Sequence, residues 1–207
     1  MIIGLDFDNT IVEYTPLFRR LAIEKGWLDA TSPARSKQDV RDLVRLLPDG
    51  EMKWRDLQAE VYGPRILGAD PFAGVREFLA FCRAKGLEIQ VVSHKSEYAA
   101  NDFDRACSLR EMALKWFETN GFFSDEYGLS RERVHFTDTR TEKVARIAAL
   151  GCAVFVDDLI ETFEEADFPE GTGRILFSDA HPDFDGAVAP DWAEVARLVE
   201  EAVRDGR

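Results

Sequence analysis

Two aspartates two positions apart, Asp6 and Asp8, stand at the end of the apolar opening MIIGLDFDNT, and Asn9 and Thr10 follow at once. Further groups of the same chemical kind lie elsewhere: Ser93, His94 and Lys95 after LEIQVV, Lys143 in RTEKVARI, and Asp157 with Asp158 after CAVFV, with Glu161 shortly beyond. Brought together, these carboxylates would repel one another, and a hard divalent cation held through oxygen relieves that cost. Mg²⁺ suits such a set, because it bridges carboxylate to phosphate while keeping some of its own waters. A carboxylate held against the cation, facing a phosphorus whose oxygens are neutralised by lysine and hydroxyl donors, is a competent nucleophile. A second carboxyl close by can protonate the leaving alcohol and then activate water. Asp6, which ends the apolar run, suits the first role. Asp8, two positions on and able to return to the same side, suits the second.

What must position these residues is a sheet. The opening run, residues 1–7, is too short for a stable helix and reads as a buried strand with polar residues at its carboxyl end. Residues 71–85 (PFAGVREFLAFCRAK) carry Val75, Phe78, Leu79 and Cys82 at helical spacing, with Gly86 where a helix stop is favoured. A strand is expected at 87–92, a helix at 109–119, a strand at 133–137, a helix at 142–150 and a strand at 152–156. A last strand at 174–177 and a helix from 191 to about 204 complete the pattern. This alternation predicts an α/β fold, a Rossmann-like parallel sheet flanked by helices, whose ligands collect beyond the carboxyl ends of the strands. Residues 13–70 break it, offering amphipathic helical segments near 17–25, 37–47 and 52–62 but no convincing strand. They are expected to form a small helical cap inserted after the first strand, with residues 1–12 and 71–207 as the catalytic core.

The strings carry a family resemblance. IIGLDFDNTIV resembles the first motif of the haloacid dehalogenase (HAD) superfamily, an apolar strand followed by Asp-x-Asp-x-Thr/Val, and VVSHK is similar to the second, a strand ending in Ser or Thr. Lys143 fits the third-motif lysine, and AVFVDDLIE resembles the fourth, a strand ending in acids. The order matches, and the first motif combined with the fourth is the specific part. The resemblance implies a Mg²⁺-dependent phosphomonoester hydrolase acting on a small phosphorylated metabolite through an aspartyl-phosphate. Asp6 would be nucleophile and metal ligand, Asp8 the acid/base with its backbone carbonyl on the metal, and Asp157 a direct ligand. Asp158 and Glu161 would support the metal, with Glu161 balanced against a plain solvated position. Thr10, Ser93 and the backbone N–H of His94 would hold the substrate, and Lys143 would offset charge on nucleophile and phosphoryl group. Lys95, nearer to Ser93 in sequence, competes with Lys143 for that task. The dehalogenases and phosphonatases of the superfamily lack an acid at the position of Asp8, so its presence favours phosphate esters. The helical insert resembles the family's C1 cap, which covers the site and selects substrate. A phosphomutase, a polynucleotide phosphatase and a non-catalytic phosphate- or partner-binding module stay open as alternatives.

Composition narrows the partners. A formal charge of −13, from 26 Lys and Arg against 39 Asp and Glu, counts against a nucleic-acid polymer, whose phosphates are bound through positive surface. No stretch reaches the roughly 18 apolar residues of a membrane span. Cys82, Cys107 and Cys152 lie far apart in apolar stretches with no CxxC pair, as core thiols of a cytoplasmic protein would. His135 inside its strand reads as structural and His181 as a loop residue. Oligomeric state is not encoded in any pattern here.

Overall fold

The apolar opening folds as β1 (Ile2–Leu5), a four-residue strand with three residues fully buried. In the computed structural model, which describes residues 1–180 and 183–206, it lies at the centre of a six-stranded sheet; the loop expectation for His181 falls outside the described residues. Gly4 is there because nothing larger fits: a Cβ would stand 2.4 Å from the Phe155 ring and 2.9 Å from Cys152 Sγ. Beyond β1 a two-stranded ribbon, β2 (Val12–Glu13) with β3 (Asp70–Pro71), marks where the chain leaves and rejoins the sheet. Between them run α1 (Thr15–Glu24), α2 (Lys37–Arg45) and α3 (Gly50–Tyr62). Then follow α4 (Val75–Ala84), β4 (Glu88–His94), α5 (Leu109–Thr119), β5 (Val134–Thr137), α6 (Arg140–Leu150), β6 (Val154–Asp157), α7 (Ile160–Phe163), β7 (Gly173–Phe177), β8 (Ala187–Ala189) and α8 (Trp192–Arg204).

The strand order is β5-β4-β1-β6-β7-β8, all parallel. The chain builds from β1 outward through β4 and β5, then returns to the other side of β1 for β6, β7 and β8. That reversal makes the carboxyl ends of β1, β4 and β6 a topological switch point, where neighbouring loops diverge and leave a crevice. Parallel strands covered on both faces read as unbroken apolar runs, which is why CAVFV and LEIQVV are legible. β8 is not: its three residues, Ala-Val-Ala, carry too little pattern, and the expectation of a last strand at 174–177 is one strand short.

The chain forms two compact units, one of Met1–Ile11, Pro71–Lys95 and Asn120–Arg207, the other of Val12–Asp70 and Ser96–Thr119. The first holds the sheet, with Ile3, Leu5, Val91, Phe155 and Val156 fully or almost fully buried. The second is helical. Phe18 stacks on Trp54 at 5.0 Å and meets Tyr62 edge-on at 5.5 Å, while Ser36 and Asp39 close a capping box at the start of α2. Ser96–Thr119 joins this unit through specific bonds: Trp116 Nε1 donates to the Ala69 carbonyl (2.8 Å) and Asn101 Nδ2 to Asp56 (2.7 Å). Among the described residues no helix is long and apolar enough to cross a membrane. The cysteines are unpaired; burial pushes the Cys82 thiol up to about 12 and Cys152 up to about 11, while Cys107 is only half-buried.

Candidate active site

Asp6 leaves β1 with its N–H donated to the Val156 carbonyl at 2.8 Å, so its backbone stays tied to β6. The chain then turns back within five residues, closed by the Ile11 N–H on the Phe7 carbonyl (3.0 Å). Asn9 sits in the left-handed region, φ 58°, which asparagine tolerates better than most residues. This turn carries Asp6, Asp8 and Thr10 in close succession at the crevice.

Asp157 ends β6, the neighbouring strand, and is fully buried. One of its oxygens accepts the Leu159 N–H (3.0 Å) and the other accepts Lys143 Nζ at 2.6 Å. Lys143 Nζ also donates to Asp6 Oδ1 at 2.5 Å, and the three side chains are 0–5% exposed. Lys143 arrives there because α6 starts at a fixed place: Thr139 accepts the Glu142 N–H, and the Glu142 carboxylate accepts from Thr139 and Asp138 in return. The first turn of the helix thereby aims an ammonium at the ends of β1 and β6.

Asp158, half-buried, brings a third carboxylate: ligand oxygens of Asp6, Asp157 and Asp158 lie within 4.8 Å of one another. Burial pushes the Asp6 carboxyl up to about 7, and the charges of Asp157 and Asp8 push the same way against the pull of Lys143. Burial works against the Lys143 ammonium, but Asp157 and Asp6 outweigh it and hold its affinity for the proton above the ordinary value. Lys143 is shared by Asp6 and Asp157 while Lys95 pairs with Asp8, and the grouped carboxylates of Asp6, Asp157 and Asp158 are an oxygen-donor set of the kind a hard divalent cation takes.

On the other side of β1, β4 ends in Ser93 and His94. Ser93 is buried and its Oγ finds no hydrogen-bond partner among the described residues; Thr10 Oγ1 is in the same state. Buried hydroxyls left unsatisfied cost about 1–3 kcal/mol each, and both of these stand just beyond strand carboxyl ends, Thr10 after β1 and Ser93 on β4. His94 is exposed, its ring Nε2 3.0 Å from the Asp138 carbonyl. His135 lies on β5, 2.9 Å from Gln90 Oε1, with burial and the nearby Arg146 charge lowering its proton affinity. Glu161 is exposed on α7 and lies outside the close carboxylate group.

Lys95 holds a place that motif reading does not assign. Its Nζ is 2.9 Å from both Asp8 oxygens, and its side chain is only 3% exposed. The signal for it is strand alternation: Ser93 and Lys95 share one face, whereas His94 between them points to the other. The two lysines therefore divide the acids, Lys143 on Asp6 and Asp157, Lys95 on Asp8.

No protein-family model matches the chain, and no curated protein matches it in sequence. Solved structures do match in fold. A haloacid dehalogenase-like family hydrolase from Xanthomonas campestris superposes with a TM-score of 0.54 at 13% identity, covering 98% of this chain and 95% of that one. A HAD family hydrolase from Deinococcus radiodurans R1, solved with bound phosphate and sodium, gives 0.53 at 17% identity, covering 97% and 95%. A predicted phosphoglycolate phosphatase from Haemophilus somnus gives 0.53 at 15% identity, covering 96% and 97%. The chain has a HAD-like fold over nearly its whole length.

Proposed function

We propose that this protein is a Mg²⁺-dependent phosphomonoester hydrolase that works through an aspartyl-phosphate on Asp6 and acts on a small phosphorylated metabolite. The observation that carries the reading is the Lys143-bridged pair Asp6 and Asp157 with Asp158 beside them at the ends of β1 and β6; the buried, unpartnered hydroxyls of Thr10, after β1, and Ser93, at the end of β4, support it. The phosphate in the Deinococcus structure and the phosphatase name of the Haemophilus protein support the same chemistry.

Asp6, Asp157 and Asp158, with the Asp8 backbone carbonyl, would hold the cation. Once bound, it supplies charge neutralisation that lets a carboxylate approach an anionic phosphoryl group. Lys143 fixes Asp6 Oδ1, which leaves Oδ2 as the oxygen presented to phosphorus. Thr10 and Ser93 donate to phosphoryl oxygens, and the His94 N–H adds a third donor. As the Oδ2–P bond forms and the ester P–O bond breaks, Asp8 gives its proton to the leaving alkoxide. Asp8 then takes a proton from water, whose oxygen attacks phosphorus, releasing phosphate and restoring the Asp6 carboxylate. The helical unit acts as the substrate-selecting cap in this reading.

A phosphate-release screen over a metabolite panel, with Mg²⁺ and with EDTA, tests the class. Activity should need the metal, and Ca²⁺, with its looser shell, should substitute poorly. Asp6→Asn should form neither product nor phosphoryl-enzyme. Asp8→Asn should lose about 10²- to 10⁴-fold and accumulate phosphoryl-enzyme on aryl phosphates, whose leaving groups need little protonation. Intact-protein mass spectrometry after acid quench decides between them: a phosphate adduct on Asp6→Asn overturns the nucleophile assignment, and full activity in EDTA overturns the metal.

A further inference from the structure

We infer that Lys95 is a positioning residue for the general acid/base: it fixes the Asp8 carboxylate toward the leaving oxygen and acts through Asp8 rather than on the phosphoryl group. This rests on the phosphatase reading above. The geometry is unusual for a lysine. Its backbone N–H is held by the Thr137 carbonyl at 3.0 Å, so the residue stays in register with the edge of the sheet beyond β4. Its ammonium straddles both Asp8 oxygens at equal distance and stands 5.4 Å from the Phe7 ring centroid. Lysine is normally a surface residue because its ammonium is strongly hydrated and its stem has high entropy. Burying it to 3% exposure against a carboxylate that remains 24% exposed fixes the acid while leaving that acid reachable.

The straddling contact selects an orientation. Equal distances to the two oxygens hold the carboxyl group at both ends, so the oxygen that gives its proton to the leaving group and later takes one from water stays in a fixed place. Asp8 holds a single bridge position beyond the end of β1, immediately before the left-handed Asn9 where the chain turns, and its carboxylate is held by Lys95 from the β4 side. Lys143 cannot provide this hold, being committed to Asp6 and Asp157.

The test is a mutant cycle with Lys95→Met, Asp8→Asn and the double variant, read in two ways. In turnover, Lys95→Met should lower kcat on alkyl phosphates by roughly 10²-fold, the cost of a misplaced catalytic group, with KM little changed and a much smaller loss on aryl phosphates. On the Asp8→Asn background, Lys95→Met should cause little further loss. Losses that multiply, or a raised KM equal for alkyl and aryl esters, would show that Lys95 binds the phosphoryl group and would overturn the inference. In urea unfolding without metal or substrate, adding Asp8→Asn to Lys95→Met should recover part of the midpoint lost by Lys95→Met alone. Additive midpoint shifts would refute the pairing itself. A wild-type protein that releases no phosphate from the panel sinks the phosphatase reading instead, and the unfolding cycle still decides whether Lys95 holds Asp8.

Discussion

Lys143→Met is the sharpest probe of the buried charge cluster. The substitution keeps most of the stem and removes one positive charge shared by two carboxylates that are 5% and 0% exposed. At an effective dielectric constant of about 20, contacts of 2.5 and 2.6 Å correspond to roughly 6 to 7 kcal/mol of gross attraction each. Desolvation of three buried charges cancels much of that, and removing one partner of a buried pair typically costs about 3–5 kcal/mol. The loss should also depend on pH. Burial, opposed by Lys143 and seconded by Asp157 and Asp8, pushes the Asp6 carboxyl in the folded protein up to about 7, against 3.8 for the ordinary group. A raised carboxyl means that the folded state keeps a proton which the unfolded chain releases, so its contribution is complete at acid pH and is lost as pH rises through the folded value. Without Lys143 that value moves higher still. Relative to wild type, the deficit should therefore be modest near about pH 6 and grow above pH 7, by up to ~1.4 kcal/mol per pH unit for one proton. Urea unfolding in EDTA at both ends of that range measures it, and adding Asp6→Asn should return part of the loss. A variant within about 1 kcal/mol of wild type at alkaline pH, well below the cost expected for a broken buried pair, would refute the account of Lys143 as the counterion of both acids.

Other outcomes follow from the same geometry. Ser93→Ala removes a buried hydroxyl that has no partner among the described residues, so the ligand-free protein should keep its stability or gain up to about 1 kcal/mol, while affinity for inorganic phosphate falls roughly tenfold or more; loss of both together would count against a ligand-directed hydroxyl. Gly4→Ala drives a methyl into Phe155 and Cys152, and should destabilise by about 1–3 kcal/mol or more, read as a lower denaturation midpoint. Mg²⁺ at about 100 times its Kd should stabilise the wild type by about 2.7 kcal/mol, and Asp157→Asn should abolish that gain; an undiminished gain would place the metal elsewhere.

Sequence alone reveals the sheet because its central strands are buried on both faces, and a run such as IIGL or VFV cannot be amphipathic. It does not reveal β8, whose pairing with β7 is set by tertiary context rather than by three small residues. Nor does it show that Ser96–Thr119 packs with the helical unit, because the bonds responsible join residues 45 and 47 positions apart and leave no local period. The acids are legible for a different reason: a parallel sheet puts its chemistry at strand ends, so the first polar residues after each apolar run are candidates before any coordinate is known. Lys143 is legible only through its motif, since a lysine in the first turn of a helix is ordinarily a solvated one.

Lys95 shows where such reading stops. Spacing sets Lys95 against Lys143 as rivals for one task, the neutralisation of a phosphoryl group, because both are cations near the same strand ends. The structure instead gives each lysine its own acid. The separation has a chemical logic within the proposed reaction. The nucleophile must be held still and drawn toward its ionised form in a buried place, and a counterion shared with Asp157 pulls that way, against burial, on the β6 side of β1. The acid/base must stay oriented yet open to the leaving group, which a buried lysine on the β4 side achieves by holding Asp8 from beneath its exposed edge. Two acids two residues apart can have different roles only if their surroundings differ. Here the difference is made by two strands that β1 alone has as neighbours.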